Sequence, residues 1–274
     1  MIMPATPPDP RIALQRHLTA LLCADWNDPA GPLRLNDRLA LAELANAPFF
    51  LNARCLLRVL DASGGTPATA AGNLNRAFVQ RLTDLLVLPD AHRESVRYYS
   101  KTLNEQELSP LHLTRIVCQC GKLIAHRQKR FTVTRRARTL LPDDQAGALY
   151  RQLFIAHFRH FNLGYRFPLR DVPGIQQTFA IVLWRLAQVA RDWTPVDGLA
   201  EKVLILPVLE QLRAVQTYPM DTDAWILAGY VLNPLLDFGL INKQPGTDWP
   251  GISDKDRIRV TALFRRFLDF PNEP

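Results

Sequence analysis

Cysteine is scarce, with only Cys23, Cys55, Cys118 and Cys120 among 274 residues. A secreted fold stapled by disulfides needs a denser framework, so a reducing, cytoplasmic setting is expected. Long apolar runs are missing too. The longest, such as residues 203–209, are short and include Pro207, whereas a membrane helix needs about 20 apolar residues. No apolar run follows a basic N-terminus as in a secretory signal, and no bilayer contact is expected. Lysine is sparse: six of the 33 basic residues are Lys and the rest Arg. Catalytic signatures are lacking as well. The glycines of Ser63-Gly64-Gly65 and Gly72 do not have phosphate-loop spacing and flank helical patterns rather than a parallel sheet. No enzyme, cofactor or metal site is therefore expected.

What the chain does have is 47% hydrophobic residues and a net charge of +7. That is enough apolar material for one large or two small domains, and it excludes disorder of the whole chain. The charge is unevenly placed. Residues 1–142 hold 19 Lys and Arg against 11 Asp and Glu, while the remainder holds 14 against 15. All the excess positive charge lies in the first half, the kind of asymmetry that attracts polyanions.

The prolines of residues 1–11 mark a disordered lead. Apolar spacing of three and four predicts helices over 12–24, over 35–44 with Asn36 or Asp37 as cap, over 49–61, and over 74–86 with Asn73 as cap. Ser109-Pro110 is the clearest helix start, a hydroxyl cap before a proline whose missing N–H costs nothing there. Leu113, Ile116, Val117 and Cys120 form the inner face of that helix, and Gly121 stands where it should end. The period then changes to two. Residues 123–127 and 130–134 read as short strands about a Gln128-Lys129 turn, followed by helix over 135–141.

The second half repeats this order. After a helix over 146–161, helical stretches cover 175–191, 196–215 with Pro207 inside, and 221–238. Placing Gly121 on Gly239 sets Val117 on Leu235, Leu123 on Ile241, and residues 130–134 (RFTVT) on residues 257–261 (RIRVT). The second hairpin is longer, with residues 245–256 inserted at its tip.

A glycine-ended third helix, a basic hairpin, and a TVT strand entering an Arg-rich helix together resemble the winged-helix superfamily. The likeness is close over residues 49–141 and looser over 175–270. It implies a mainly α fold of two tandem winged-helix-like domains, each with a small β-hairpin wing, joined by helical segments. The expected boundaries are 1–11 for the lead, 12–142 for the first domain, 143–174 for the connection and 175–274 for the degenerate second domain. Many winged helices bind DNA by placing the third helix in the major groove and the wing on the neighbouring backbone.

On that reading the outer face of the third helix presents His112, Arg115, Gln119 and Lys122, types that hydrogen-bond base edges or phosphates. The hairpin and the next helix add Arg127, Lys129, Arg130, Arg135, Arg136 and Arg138, with no acidic residue between residues 126 and 138. The corresponding helix of the second repeat, residues 221–238, has little polar face and is expected to pack or dimerise. The leading expectation is duplex DNA binding through the first winged helix, with a regulatory role. Its rival is a protein-interaction or scaffolding factor that engages a protein partner or forms a homodimer through its C-terminal half, its basic hairpin meeting an acidic surface.

Other features read as structural. His157 and His160 share a helix face and could begin a metal site, but no third ligand is near and Phe154, Phe158 and Phe161 favour packing. Cys118 and Cys120 point about 200° apart on a helix, with Cys120 the inner one. Asp143, Asp144, Asp221 and Asp223 stand at helix starts, complementing the dipole. Tyr98 and Tyr99, beside Arg97 and Lys101, read as a loop cover or as stacking platforms for unpaired bases.

Overall fold

A computed structural model describes residues 9–88, 93–94, 98, 103–167, 170–249 and 251–271 of the chain. The expected stacking residues Arg97, Tyr99 and Lys101 lie outside these. The described residues are mostly helical, with three small antiparallel sheets.

The chain becomes helical earlier than its prolines suggested. Helix α1 (Pro10–Leu22) has Asp9 as cap, its carboxylate accepting from the Arg11 amide, and Pro10 at the first position. The helix expected over residues 35–44 does not form. Strand β1 (Arg34–Leu35) pairs with β8 (Leu268–Asp269), Asn36 hydrogen-bonds the carbonyls of Phe267 and Arg266, and only a 3-10 turn follows at Leu41–Leu44. These long-range bonds satisfy the backbone that a helix would otherwise have used. Residues 10–35 accordingly lie on the second half: α1 packs against residues 179–189, with the His17 ring 4.8 Å from Trp184. The boundary expected at residue 12 does not follow these contacts.

A first unit runs through α2 (Pro48–Ala62), β2 (Thr66–Pro67), α3 (Arg76–Thr83), α4 (Ser109–Cys120), the hairpin β3 (Ile124–Arg127) and β4 (Arg130–Val133), and α5 (Arg135–Leu140). Asn75, not Asn73, caps α3 by accepting from the Phe78 amide at 3.0 Å. Ser109 is the first residue of α4, and Leu108 rather than Ser109 occupies the cap position. The sheet order is β2-β4-β3, so the short strand after the first helix pairs with the second arm of the hairpin.

Helix α6 (Ala146–Ile155) continues through a π turn (Ala156–His160), and α7 (Pro173–Gln177) leads into a second unit. That unit has α8 (Phe179–Val189), β5 (Thr194–Pro195), α9 (Leu199–Val203), α10 (Leu206–Ala214), α11 (Asp223–Leu227), a second π turn (Ala228–Leu232), α12 (Asn233–Asp237), the hairpin β6 (Ile241–Gln244) and β7 (Arg257–Val260), and α13 (Ala262–Phe267). Pro207 does not sit in a helix interior but in the first turn of α10, where it displaces no hydrogen bond. The sheet order is β5-β7-β6, the counterpart of the first.

The repeat extends to single hydrogen bonds. Both short strands are Thr-Pro: Thr66 lies opposite Phe131 and Thr194 opposite Ile258. The Thr134 and Thr261 hydroxyls donate to the carbonyls of Lys122 and Gly239, and each caps the helix that follows it. The Leu123 amide donates to the Cys118 carbonyl and the Leu240 amide to that of Leu235. These bonds correct the sequence alignment by one residue. Lys122, with φ 58°, occupies the left-handed position of Gly239, with φ 71°, so Leu123 matches Leu240 rather than Ile241. Gly121 misled the alignment because it is small for another reason: a Cβ there would lie 2.9 Å from that of Ala156, in the connecting helix.

One continuous core joins the units. Phe49 stacks on Phe238 at 4.7 Å, Phe154 meets Phe267 edge-on at 4.9 Å, and the buried Tyr150 hydroxyl donates to the Phe238 carbonyl at 2.8 Å.

Candidate nucleic-acid interface

The hairpin turn forms as expected, and at a cost. Gln128 and Lys129 have φ of 49° and 55°, the left-handed pair that a two-residue type I′ turn requires and that Asn-Gly normally supplies. Among the described residues the only non-glycines at positive φ are Lys122, Gln128 and Lys129, all within the basic stretch. Each gives up stability that a glycine would keep. Beside the turn Arg127 lies directly opposite Arg130, a like-charge pair that is unfavourable without an anion. Arg135 and Arg136 fill the first turn of α5, where the dipole favours acids.

The cations differ in what holds them. Lys122, Arg127, Lys129, Arg130, Arg135, Arg136 and Arg138 are all exposed. Arg138 pairs with Asp61 at 2.6 Å, Arg136 donates to Gln152 at 2.5 Å, and Arg130 donates to the Gly64 and Gly65 carbonyls. Lys122, Arg127, Lys129 and Arg135 make no side-chain hydrogen bond or ion pair among the described residues.

The expected outer face of the third helix is not outer. Arg115 is buried at 5% exposure. Its Nε donates to Glu105 at 2.6 Å, its guanidinium bonds the Gln119 side chain, and it lies 5.2 Å over the Phe131 ring. His112 Nδ1 meets the same Glu105 oxygen at 2.8 Å, while Nε2 reaches the Tyr165 hydroxyl at 3.0 Å. His112, Arg115 and Gln119 are thus tied into one network, Arg115 buried and the other two half-buried, and only Lys122, past the helix end, is fully exposed. The anchor is Glu105, which is itself buried at 1% exposure. Burial pushes its carboxyl up, but the His112 hydrogen bond, the Arg115 charge and the Leu74 amide outweigh this and hold it below the usual carboxylate range. Sequence spacing missed this because Glu105 precedes the helix and cannot be aligned with its face.

The cysteine assignment reverses. Cys118 is fully buried, its thiol pushed up by desolvation, and Cys120 is the half-buried one. His157 behaves as expected, packed 5.3 Å from Phe49 and 4.7 Å from Phe158. No cluster of three metal-ligating side chains occurs among the described residues. Asp143 does more than start a helix: it pairs with both Arg54 and Arg58. Asp221 is buried and pairs with Arg170 at 2.7 Å; that hydrogen bond, with those from the Tyr218 and Thr217 amides, holds its carboxyl low. Tyr98 is 83% exposed.

In the second unit the hairpin is held internally. Lys243 donates to the Trp249 and Gly251 carbonyls and pairs with Asp256 at 3.3 Å. Arg257 donates to the Trp193 carbonyl, and Arg259 lies 4.9 Å over the Trp193 ring.

Residues 45–148 match the model of the Y4jL N-terminal domain family. The match begins just before α2 and ends in the first turn of α6, so it spans the first unit with its hairpin. No curated protein and no solved structure matches the chain. No helix among the described residues is long and apolar enough to cross a membrane.

Proposed function

We propose that the chain is a tandem winged-helix-like protein that binds duplex nucleic acid through the phosphate contacts of its first hairpin, without reading base sequence. One observation carries this: lysine stands at Lys122 in the left-handed backbone position that the second unit fills with Gly239. A residue type that costs stability has its rationale in what the side chain contacts, and here it adds a cation to Arg127, Lys129 and Arg135. The order of helices and strands, with sheet order β2-β4-β3, supports the winged-helix part of the reading. Arg115 and Gln119 take no part in this contact, since both side chains are engaged within the protein.

The burial of the third helix also favours a second reading, in which the hairpin meets an acidic protein surface. Duplex DNA of arbitrary sequence separates the two. Four phosphate contacts predict binding at about 50 mM salt with a log–log salt slope of about −3 to −4. Replacing Lys122, Arg127, Lys129 and Arg135 together with Gln should weaken binding more than tenfold and flatten the slope. Absence of binding at that salt would transfer the assignment to the protein-partner reading.

A further inference from the structure

A buried carboxylate, an imidazole and a phenol stand in line at a cavity between the two units. The cavity, of about 1120 Å³, lies between the start of α2, the amino end of α4, the face of α11 and α12, and the second hairpin, and both His112 and Tyr165 line it. Glu105 is buried behind them. One of its oxygens meets His112 Nδ1 at 2.8 Å and Arg115 Nε at 2.6 Å, and the other accepts from the Leu74 amide. An ionised carboxylate accepts hydrogen bonds and donates none, so the imidazole carries its proton on Nδ1. The Nε2 lone pair then points at the Tyr165 hydroxyl, 3.0 Å away. Arg115 already balances the Glu105 charge, which leaves the imidazole as a base.

A hydroxyl, a base within hydrogen-bonding reach of it and a third group that orients the base together make an activated nucleophile. This one is accessible, Tyr165 being 52% exposed. The walls indicate what it would meet. Phe49, Phe167, Trp225 and Trp249 supply apolar surface, and no Lys or Arg lines the cavity among the described residues, so an anionic donor finds no permanent cation there. We propose that Tyr165 is a covalent acceptor site that takes the acyl group of an uncharged activated ester with an apolar body. The phenol oxygen bonds to the ester carbonyl carbon as its proton passes to His112 Nε2. The bond from that carbon to the leaving oxygen then breaks, and the leaving oxygen takes the proton from the imidazolium. An acyl-tyrosine and a free alcohol result. The site stands apart from nucleic-acid binding, because none of the first hairpin's cations lines the cavity.

Incubating the full chain with p-nitrophenyl hexanoate near neutral pH tests it, the acylated residues being located and timed by peptide mass spectrometry. Tyr218 is the control within the same molecule: it is 56% exposed, and its hydroxyl makes no hydrogen bond among the described residues. Tyr165 should be acylated at least tenfold faster than Tyr218. His112→Gln, which can still donate to Glu105 but offers no basic nitrogen, should bring Tyr165 down to the Tyr218 rate and leave Tyr218 unchanged. With acetyl phosphate, an anionic donor, the advantage of Tyr165 over Tyr218 should be severalfold smaller. Equal rates at the two tyrosines of the unaltered chain would overturn the proposal whether or not the variant folds. So would an undiminished Tyr165 rate in folded His112→Gln, or a larger Tyr165 advantage with acetyl phosphate than with the ester.

Discussion

Strand for strand the two hairpins share one register. Ile124 faces Val133 as Ile241 faces Val260, and both are closed by threonine bonds to the turn after the third helix. Their charged side chains differ in use. In the second hairpin Lys243, Arg257 and Arg259 hold its own long loop and the Trp193 segment. In the first, the turn has two residues, no loop needs holding, and Lys122, Arg127, Lys129 and Arg135 have no side-chain hydrogen bond or ion pair among the described residues. The third helices differ inversely. Counting three residues back from Cys118 and from Leu235 gives Arg115 in the first unit and Leu232 in the second, both buried. At this helix position one unit thus buries a polar network and the other an apolar side chain, while the hairpin charges of the second unit, unlike several of the first, are engaged within the protein.

The largest test of that contrast is to give the first unit the interior of the second. Arg115→Leu leaves Glu105 buried without its main cation and should cost about 3–5 kcal/mol in urea unfolding. Arg115→Leu with Glu105→Gln, which keeps an acceptor for the Leu74 amide, should recover most of that loss. If the double variant is no more stable than the single one, the network is not an isolated ion pair and the contrast is mis-drawn.

Acid should act more weakly, because protonation removes a charge but leaves the groups in place. Glu105 has a folded pKa below its unfolded one. Its contribution is complete above the ordinary glutamate range and is lost as pH falls through the depressed value. Asp256 is also held low: burial raises it, but the Gly246 and Ser253 amides and Lys243 prevail. The urea midpoint should therefore drop as pH falls below the ordinary carboxylate range and through the depressed values of these groups. Glu105→Gln should flatten part of that drop and leave the share of the second unit intact. An unchanged slope would remove Glu105 from the account.

The smallest effects come from the shared left-handed position. A Cβ on Gly239 would lie 2.5 Å from the Asn46 carbonyl oxygen, so Gly239→Ala should destabilise by about 1–3 kcal/mol from strain and collision. Lys122→Gly should have the opposite sign, a gain of up to about 1 kcal/mol, together with weaker DNA binding. A loss of stability in Lys122→Gly would break the case that lysine stands there for its charge.

Much of the local order was legible along the chain. The change of period at residue 123 located the hairpin and its turn, although Gln128-Lys129 lacks the usual glycine, because alternation reports which face of a strand is covered. Residues 130–134 and 257–261 matched in the correct register for the same reason. The two-residue strands Thr66–Pro67 and Thr194–Pro195 were not legible, since two residues carry no period and a proline argues against a central strand. Edge positions in three-stranded sheets allow them. Of the proposed site, the exposed cations of the hairpin followed from an acid-free stretch; the engagement of His112, Arg115 and Gln119 within the protein did not, because it depends on Glu105 and Tyr165 arriving from other segments.

The order of residues by itself determined where most helices and both hairpins form, that one plan occurs twice, and that positive charge gathers in the first half, because periodicity and composition act over a few residues at a time. Only the tertiary structure decided which cations remain free, which helix face is covered, and that aromatic rings from both units enclose a cavity with His112 and Tyr165 on its wall. Those outcomes depend on partners tens to hundreds of residues away, and a side chain's charge has no function until the fold has settled what lies within hydrogen-bonding reach of it.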